Sequence, residues 1–365
     1  MKIECSKEQL AQALNKIDRI AGKNNLLPIL TCVLFDATAD KLLLRATNLE
    51  IALEIALPAK LHEKGIVAVP AHAITSYIAT LDKEKNITIE VRSGNIYISS
   101  SLNNTTIKAQ SHEDFPTIPS IEEPISFSIK SSIFSEGIKS VAYSAGQSSM
   151  KPELSSVYIY SHNNQLVFVA TDSFRLAEKK ISFKTSNNDW NTLIPVKNIQ
   201  DIVRILDDID SDVEIMITKH QIVMRTASLY LTSRVVEGSF PDYQQIIPKD
   251  SKTEVTVLKQ DVLKAFKVAT IFSDKFNKLN VKAIPSDKKV YIKTSNSDIG
   301  ETITELPATL TGEEIDINFN YKYISECIQS IGSASIIFQF GSVGKLVIRG
   351  VGDNSFMYLV MPMNR

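Results

Sequence analysis

The sequence predicts an α+β chain of three tandem units, each with two amphipathic helices packed on antiparallel sheets. Three observations predict it. An apolar helical stripe recurs at a fixed step, with Ile74, Ile199 and Ile324 each 125 residues apart. A strand ending in a polar turn recurs as LLLRATN, LVFVATD and VYIKTSN, placing Thr47, Thr171 and Thr294 at steps of 124 and 123. Each unit also opens on a strand that runs directly into a helix. Self-similarity of this kind marks a chain assembled from copies of one supersecondary unit.

Taken in order, the opening of the first unit is MKIECSKEQLAQALNKI. Its strand ends at Ser6, which with Gln9 forms a capping box, and Leu10, Ala13, Leu14 and Ile17 then share one helical face. The second unit repeats this as FSIKSSIFSEGIKSVA, with Phe134, Gly137, Ile138 and Val141 on the face. The third reads VTVLKQDVLKAFKVAT, with Val262, Ala265, Phe266 and Ala269. The second helices follow the short strands GIVAV, NTLIP and IDINF. Their stripes are Ile74, Tyr77, Ile78 and Leu81, then Ile199, Ile202, Val203 and Leu206, then Ile324, Cys327, Ile328 and Ile331, each spaced i, i+3, i+4, i+7. A hairpin follows each one: ITIEV and IYIS around Ser93-Gly94-Asn95, VEIMIT and IVMRT around Lys219-His220-Gln221, SIIFQF and KLVIRG around Gly341–Gly344. DFPTIP and SFPDYQQIIP close the first two units. Pro and charge cluster near Ser120–Pro124 and Lys249–Lys252, so the expected boundaries are 1–121, 122–251 and 252–365.

Composition bounds the function. Of 365 residues, 44% are hydrophobic and 22% charged, as in an ordinary globular protein. Lys plus Arg number 40 against 41 Asp plus Glu, a net charge of −1, so any nucleic-acid role needs charge segregated onto one face. Cys5, Cys32 and Cys327 are too few and too far apart for a disulfide framework or an all-cysteine zinc site. The N-terminus has no apolar signal core, and no stretch is long enough to span a bilayer, which predicts a cytoplasmic protein. His62, His72, His112, His162 and His220 show no metal-ligand spacing. Ala21-Gly22-Lys23-Asn24 lacks the rest of a phosphate-binding loop, and neither GxSxG nor GxGxxG occurs. The expectation is a protein without a catalytic site, metal or cofactor.

Several segments resemble those of a known family, the bacterial sliding clamp, which is the β subunit of DNA polymerase III. They are ATDSFRLA at 170–177, GSFPDYQQIIP at 238–248, YLVMPMNR at 358–365, LLPIL at 26–30 and DFP at 114–116, in family order along the whole chain. The resemblance implies three DNA-clamp domains per chain and a head-to-tail homodimeric ring around duplex DNA, with helices lining the hole and sheets forming the outer wall. It implies a processivity factor for DNA replication, part of the DNA polymerase III holoenzyme, that binds DNA without reading its sequence. Its partners would be the DNA polymerase catalytic subunit, the clamp-loader complex, repair polymerases, mismatch-repair proteins and a second copy of itself.

Carried onto matching motifs, the family's peptide-binding cleft implies Leu154, Thr171, Arg175, Leu176, Pro241, Ile246, Leu359, Met361, Pro362 and Met363. Met suits a surface that serves several partners. Without the resemblance, Met361 and Met363 read more simply as packing of a terminal strand. The DNA-facing candidates are Lys23, Lys197, Arg204, Lys264 and Lys322. Lys16, Arg19, Lys139 and Lys267 also lie on predicted helices. Lys23 alone is singled out by the family, which carries a basic DNA-contacting residue there. The dimer interface implied is Thr105 and Ile107 against Ile271 and Phe272. There are departures from the family pattern: Phe174 stands where His is frequent, Gln245 where a basic residue is common, and Thr105 where an aromatic is frequent. The tail ends Asn364-Arg365. Thr105 predicts a seam weaker or differently packed than usual. Three rival readings stay open here: an enzyme on a three-unit scaffold, a repeat protein that binds peptide or carbohydrate without DNA, and a clamp relative that only recruits partners.

Overall fold

The three repeats share one order of elements, except that the second has one strand fewer between its two helices. The structure, a computed structural model, describes every residue except 23–26, 82–83, 101–102, 120, 149, 184–188 and 364–365. The first repeat runs β1 (Lys2–Ser6), α1 (Lys7–Ile20), β2 (Cys32–Asp36), β3 (Leu42–Thr47), β4 (Ile51–Leu57), β5 (Ala59–Glu63), β6 (Ile66–Pro70), α2 (Ala71–Ala79), β7 (Asn86–Arg92), β8 (Asn95–Ser99) and β9 (Asn104–Ile107). The second runs β10 (Ile125–Lys130), α3 (Ser131–Ala142), β11 (Ser156–His162), β12 (Gln165–Thr171), β13 (Arg175–Ser182), β14 (Asn191–Pro195), α4 (Val196–Asp207), β15 (Asp212–Ile217), β16 (Gln221–Arg225) and β17 (Leu229–Arg234). The third runs β18 (Thr253–Leu258), α5 (Lys259–Ile271), β19 (Lys278–Ile284), β20 (Lys289–Asn296), β21 (Gly300–Leu306), β22 (Ala308–Gly312), β23 (Ile315–Asn320), α6 (Tyr321–Ile328), β24 (Ser335–Phe340), β25 (Leu346–Gly350) and β26 (Phe356–Val360). The fold is three tandem domains, each with helices on antiparallel sheet.

The helices form where the sequence pattern places them. Ser6 Oγ accepts from the Gln9 amide at 3.5 Å, relieving one unpaired N–H of the first turn of α1. Leu10, Ala13, Leu14, Ile17 and Ile20 are buried behind it. On α3, a Cβ at Gly137 would lie 2.4 Å from the Phe168 ring, so only glycine lets this helix approach β12 so closely. Asn320 caps α6 through the Lys322 amide at 3.0 Å. Ile324, Cys327 and Ile328 are its buried stripe.

The chain divides into two compact units: Met1–Phe134 with Lys197–Val235, and Ser135–Val196 with Val236–Arg365. The first unit holds a five-stranded sheet, β5-β1-β7-β8-β9, and an eight-stranded sheet, β10-β15-β16-β17-β4-β3-β2-β6. The second holds a nine-stranded sheet, β14-β11-β12-β13-β26-β25-β24-β18-β22, and a four-stranded sheet, β21-β20-β19-β23. The two large sheets are built alike. In each, the last strand of one repeat pairs antiparallel with the strand that follows the Thr turn of the preceding repeat. Leu231 of β17 lies opposite Leu53 of β4, and Tyr358 of β26 lies opposite Ala177 of β13. The same two kinds of strand are left at sheet edges once each, as β9 and β21.

Candidate functional site

The turn between β12 and β13 is assembled from its own polar side chains. Thr171 Oγ1 donates to the Arg175 carbonyl at 2.6 Å and accepts from the Ser173 amide at 3.2 Å. Asp172 Oδ1 accepts from the Phe174 and Arg175 amides, both at 3.0 Å. Ser173 takes φ of 78°, a left-handed conformation that the surrounding bonds hold in place. Phe174 is thereby thrust outward and is 61% exposed.

The turn delivers Leu176 into an apolar cluster. Val167, Val169, Leu176, Tyr243, Val347, Met357 and Leu359 are buried there, with Tyr158, Tyr160, Phe240, Ile247 and Met361 packed against them. Leu176 lies directly opposite Leu359 across β13 and β26, and Val347 is opposite Leu359 on the other side. The chain then leaves the sheet. The Met361 amide bonds to the Phe174 carbonyl at 2.8 Å, and the Met363 amide to the Asn318 carbonyl at 2.8 Å. Met361, Pro362 and Met363 are all half-buried beside this apolar surface, and the two methionines are adaptable in shape.

A strap of chain, Gly238–Pro248, lies over the same surface. Only Tyr243 in it is fully buried; Pro241 and Ile246 face outward. Phe240 stacks on Tyr158 with ring centroids 4.8 Å apart. The Tyr243 hydroxyl donates to Glu178 Oε2 at 2.5 Å and meets the Tyr160 hydroxyl at 2.8 Å. Burial, and then Glu178, push the Tyr243 hydroxyl far above its usual pKa, so it remains a donor.

Arg175 points its guanidinium to the helix side. Nε bonds to Asp172 at 2.9 Å, Nη2 to the Tyr143 carbonyl at 2.6 Å, and Nη1 to Glu326. The group also sits 4.4 Å from the centre of the Tyr323 ring. Burial pulls its pKa down, but Tyr358, Glu326 and Asp172 outweigh burial and hold it charged. Leu154 is half-buried, and its carbonyl accepts from Gly146 at 2.7 Å. The cluster thus brings together Leu176, Leu359 and Met361. Thr171 and Arg175 organise its turn, and Pro241 and Ile246 flank the buried tyrosine of the strap.

The basic candidates sit on helices. Arg19, Lys139, Arg204, Lys267 and Lys322 lie at exposed helix positions. Lys16 pairs with Asp208 at 3.4 Å, Lys197 with Glu50 at 3.2 Å and Lys264 with Asp261 at 3.5 Å. Lys23, Asn364 and Arg365 lie outside the described residues. Of the interface candidates, Thr105 and Ile107 are on edge strand β9, Ile271 ends α5 at 62% exposure, and Phe272 follows it. Among the described residues no group of three His, Cys, Asp or Glu could hold a metal ion, and no helix is long and apolar enough to cross a membrane.

Three family models cover the chain almost end to end: the DNA polymerase III beta subunit N-terminal domain over residues 1–119, its central domain over 128–242 and its C-terminal domain over 244–364. The chain belongs to the DNA polymerase III beta subunit family. Relatives named beta sliding clamp include that of Bacillus subtilis, 25% identical with 100% of this chain and 99% of the relative covered. That of Synechococcus elongatus is 24% identical with the same coverage. The crystal structure of the DNA polymerase III subunit beta from Pseudomonas aeruginosa superposes with a TM-score of 0.95 at 24% identity, covering 100% of both chains. The Bacillus subtilis DNA polymerase sliding clamp structure gives 0.95 at 24% identity, covering 100% of this chain and 99% of that one.

Within this clamp-family chain, sequence reasoning missed Phe240, Tyr243, Val347 and Glu178 around the cluster. Phe240 and Tyr243 stand inside the FPDY segment, which was legible as a motif. Glu178 was hidden in AEKK, which looks like an ordinary solvated charge run.

Proposed function

We propose that this chain is a DNA sliding clamp: a homodimeric ring that encircles duplex DNA and tethers the replicative polymerase and other replication and repair proteins through the apolar cleft on β13 and β26. The observation that carries the reading is the pair of edge strands. Two of three equivalent strand junctions, β17 on β4 and β26 on β13, are made within the chain. The third would join β9 to β21, and a second copy supplies it head to tail. Two copies then present six similar domains (1–121, 122–251 and 252–365, twice), and a heterologous contact that closes gives a ring.

The repeat also supports one register for this seam. In the proposed seam Thr105 stands opposite Ile303, as Leu231 stands opposite Leu53 and Tyr358 opposite Ala177. Ile271, Phe276, Ile299 and Ile303 are 62%, 60%, 61% and 57% exposed, an apolar group that a partner edge would cover. Thr105 offers little apolar area there, so the seam is weaker than an aromatic would make it.

Such a ring holds DNA by topology. Sparse Lys and Arg on exposed helix positions touch phosphates without reading bases, which suits sliding on a chain of near-zero net charge. Partner peptides with Leu and Phe anchors fill the cleft around Leu176, Leu359 and Met361, and a separate loader opens the ring.

The test is mass and DNA retention together. Scattering from the purified chain should give about twice 40.5 kDa with a hollow distance distribution, and the protein should stay on closed circular DNA but run off linear DNA. Ile303→Asp should give a monomer and abolish retention. A wild-type monomer at micromolar concentration would sink the ring and leave a recruiting-only protein.

A further inference from the structure

We propose that Glu178 is a positioning residue of the cleft. Through Tyr243 it sets where the strap Gly238–Pro248 lies over the sheet, and so the shape of the pocket that peptide anchors enter. The inference rests on the cleft reading above and extends it to a buried residue of β13.

Glu178 is a carboxylate only 5% exposed beside the apolar cluster. A buried carboxylate is tolerated only when its oxygens are matched by donors. Here both are taken: Oε2 by the Tyr243 hydroxyl at 2.5 Å and Oε1 by Lys180 at 2.9 Å. Both oxygens thus have donors from the protein itself, one of them from the strap.

The hairpin itself does not demand this arrangement. The equivalent carboxylate in the first repeat is Glu54. It lies opposite Arg45 exactly where Glu178 lies opposite Val169, and Arg45 Nε satisfies it at 2.5 Å. With Val169 in place of the arginine, the acid is free to hold the strap instead.

The strap has few other attachments. Ser239, Pro241, Asp242, Gln244, Gln245 and Ile246 are exposed. Besides Tyr243 there are the Phe240–Tyr158 stack, Ile247 packed against the apolar cluster, Pro248 set against Gly341, and the Lys345 Nζ bond to the Ile246 carbonyl at 3.0 Å. Tyr243 sits in a single 3₁₀ turn, Tyr243–Ile246, and the next residue, Ile247, packs against the cluster. Releasing the tyrosine lets that turn drift, while the buried sheet beneath stays paired.

The experiment measures binding of a fluorescein-labelled short peptide with Leu and Phe anchors to the full chain by anisotropy, and hydrogen exchange of the Tyr243–Ile247 amides. Glu178→Ala and Tyr243→Phe should each weaken the peptide about tenfold and speed exchange in the strap, with the dimer mass unchanged. Glu178→Gln keeps an oxygen acceptor for Tyr243 and should stay within about twofold of wild type in both readouts. Wild-type affinity in Glu178→Ala with an equally protected strap overturns the proposal. So does a Glu178→Gln variant as impaired as Glu178→Ala. If Glu178→Ala fails to fold, Tyr243→Phe, which keeps the ring, decides. A wild type that binds no such peptide sinks the cleft reading separately, and the exchange data still decide whether Glu178 positions the strap.

Discussion

The hairpins β3–β4 and β12–β13 are one device used twice, and the second carries the apolar cluster on which the proposed cleft lies. Thr47 Oγ1 donates to the Ile51 carbonyl and accepts from Leu49, as Thr171 does with Arg175 and Ser173. Asn48 Oδ1 takes the Glu50 and Ile51 amides, as Asp172 takes those of Phe174 and Arg175. Leu49 and Ser173 have φ of 73° and 78°. The difference lies on the sheet face. Around the first turn, Arg45 bridges Asp36 at 2.9 Å and Glu54 at 2.5 Å. Ala52 there meets Thr232, where Leu176 meets Leu359 in the second. The turn is therefore scaffolding. The second hairpin's face differs from the first by the missing cross-strand arginine, larger apolar side chains on both strands and a chain end packed beside it.

The most disruptive way to break this contrast is to exchange the cross-strand residues. Val169→Arg puts a guanidinium into the buried cluster beside Glu178, competing with Tyr243. It should abolish peptide binding and cost about 2–3 kcal/mol or more of stability, read by denaturant unfolding. Arg45→Val creates no cleft, because Ala52 and Thr232 stay small. It should cost about 1–2 kcal/mol, since the network is only partly buried and solvent screens it. That cost depends on pH. Burial pushes the Asp36 carboxyl up, but hydrogen bonds from Thr38 and the Arg45 charge outweigh it, so its folded pKa lies below the ordinary carboxylate value. A depressed folded pKa contributes stability that is present above the unfolded value of about 3.9 and is lost as pH falls through the folded one. The gap between wild type and Arg45→Val should therefore be widest near neutral pH and close in acid. A gap that widens in acid would refute the assignment.

A smaller effect sharpens the contrast at the turn itself. Asp172→Asn keeps an acceptor for both amides but gives up the charge that pairs with Arg175 Nε at 2.9 Å. It should cost about 1 kcal/mol and loosen the Arg175 links to Tyr143 and Glu326. Asn48→Asp, at a turn with no arginine in that place, should change stability by less than about 0.5 kcal/mol. Equal costs for the two would show that Arg175 contributes nothing through its pair.

How much of this could be read from the sequence follows from the range of each signal. The helix stripes and tight hairpins depend on residues a few positions apart, so periodicity exposes them, and α2, α4 and α6 carry the predicted stripes, with Leu81 and Ile331 just past the ends of α2 and α6. LVFVATD likewise reads as a strand ending in a polar turn, because the turn closes on itself, whereas only the family resemblance names Thr171, Arg175 and Leu176 as site residues. The junctions β17 on β4 and β26 on β13 join strands from different repeats, some 180 residues apart in both cases, and no local pattern encodes such pairing. Glu178 and Tyr243 meet across 65 residues, and each looks ordinary in its own segment. Met361 and Met363 lie just beyond the end of β26 and are half-buried there, with Met361 packed against the apolar cluster.

The subtlest comparison removes the shared feature from both turns. Thr47→Ala and Thr171→Ala each delete a buried hydroxyl that bridges a carbonyl and an amide, and each is 5% exposed. Leaving such groups without partners costs about 1–2 kcal/mol. If the turns are the same device, the two variants should lose equal stability, within about 0.5 kcal/mol, when unfolded under identical conditions. Their consequences for binding should nevertheless diverge. Thr171→Ala frees the Arg175 carbonyl and lets the Phe174 segment, whose carbonyl holds Met361, shift at the rim of the cleft. Peptide affinity should fall about three- to tenfold there and remain unchanged in Thr47→Ala. Parallel losses of affinity would mean that stability, not local geometry, governs binding, and the division between scaffold and site drawn from these two hairpins would be wrong.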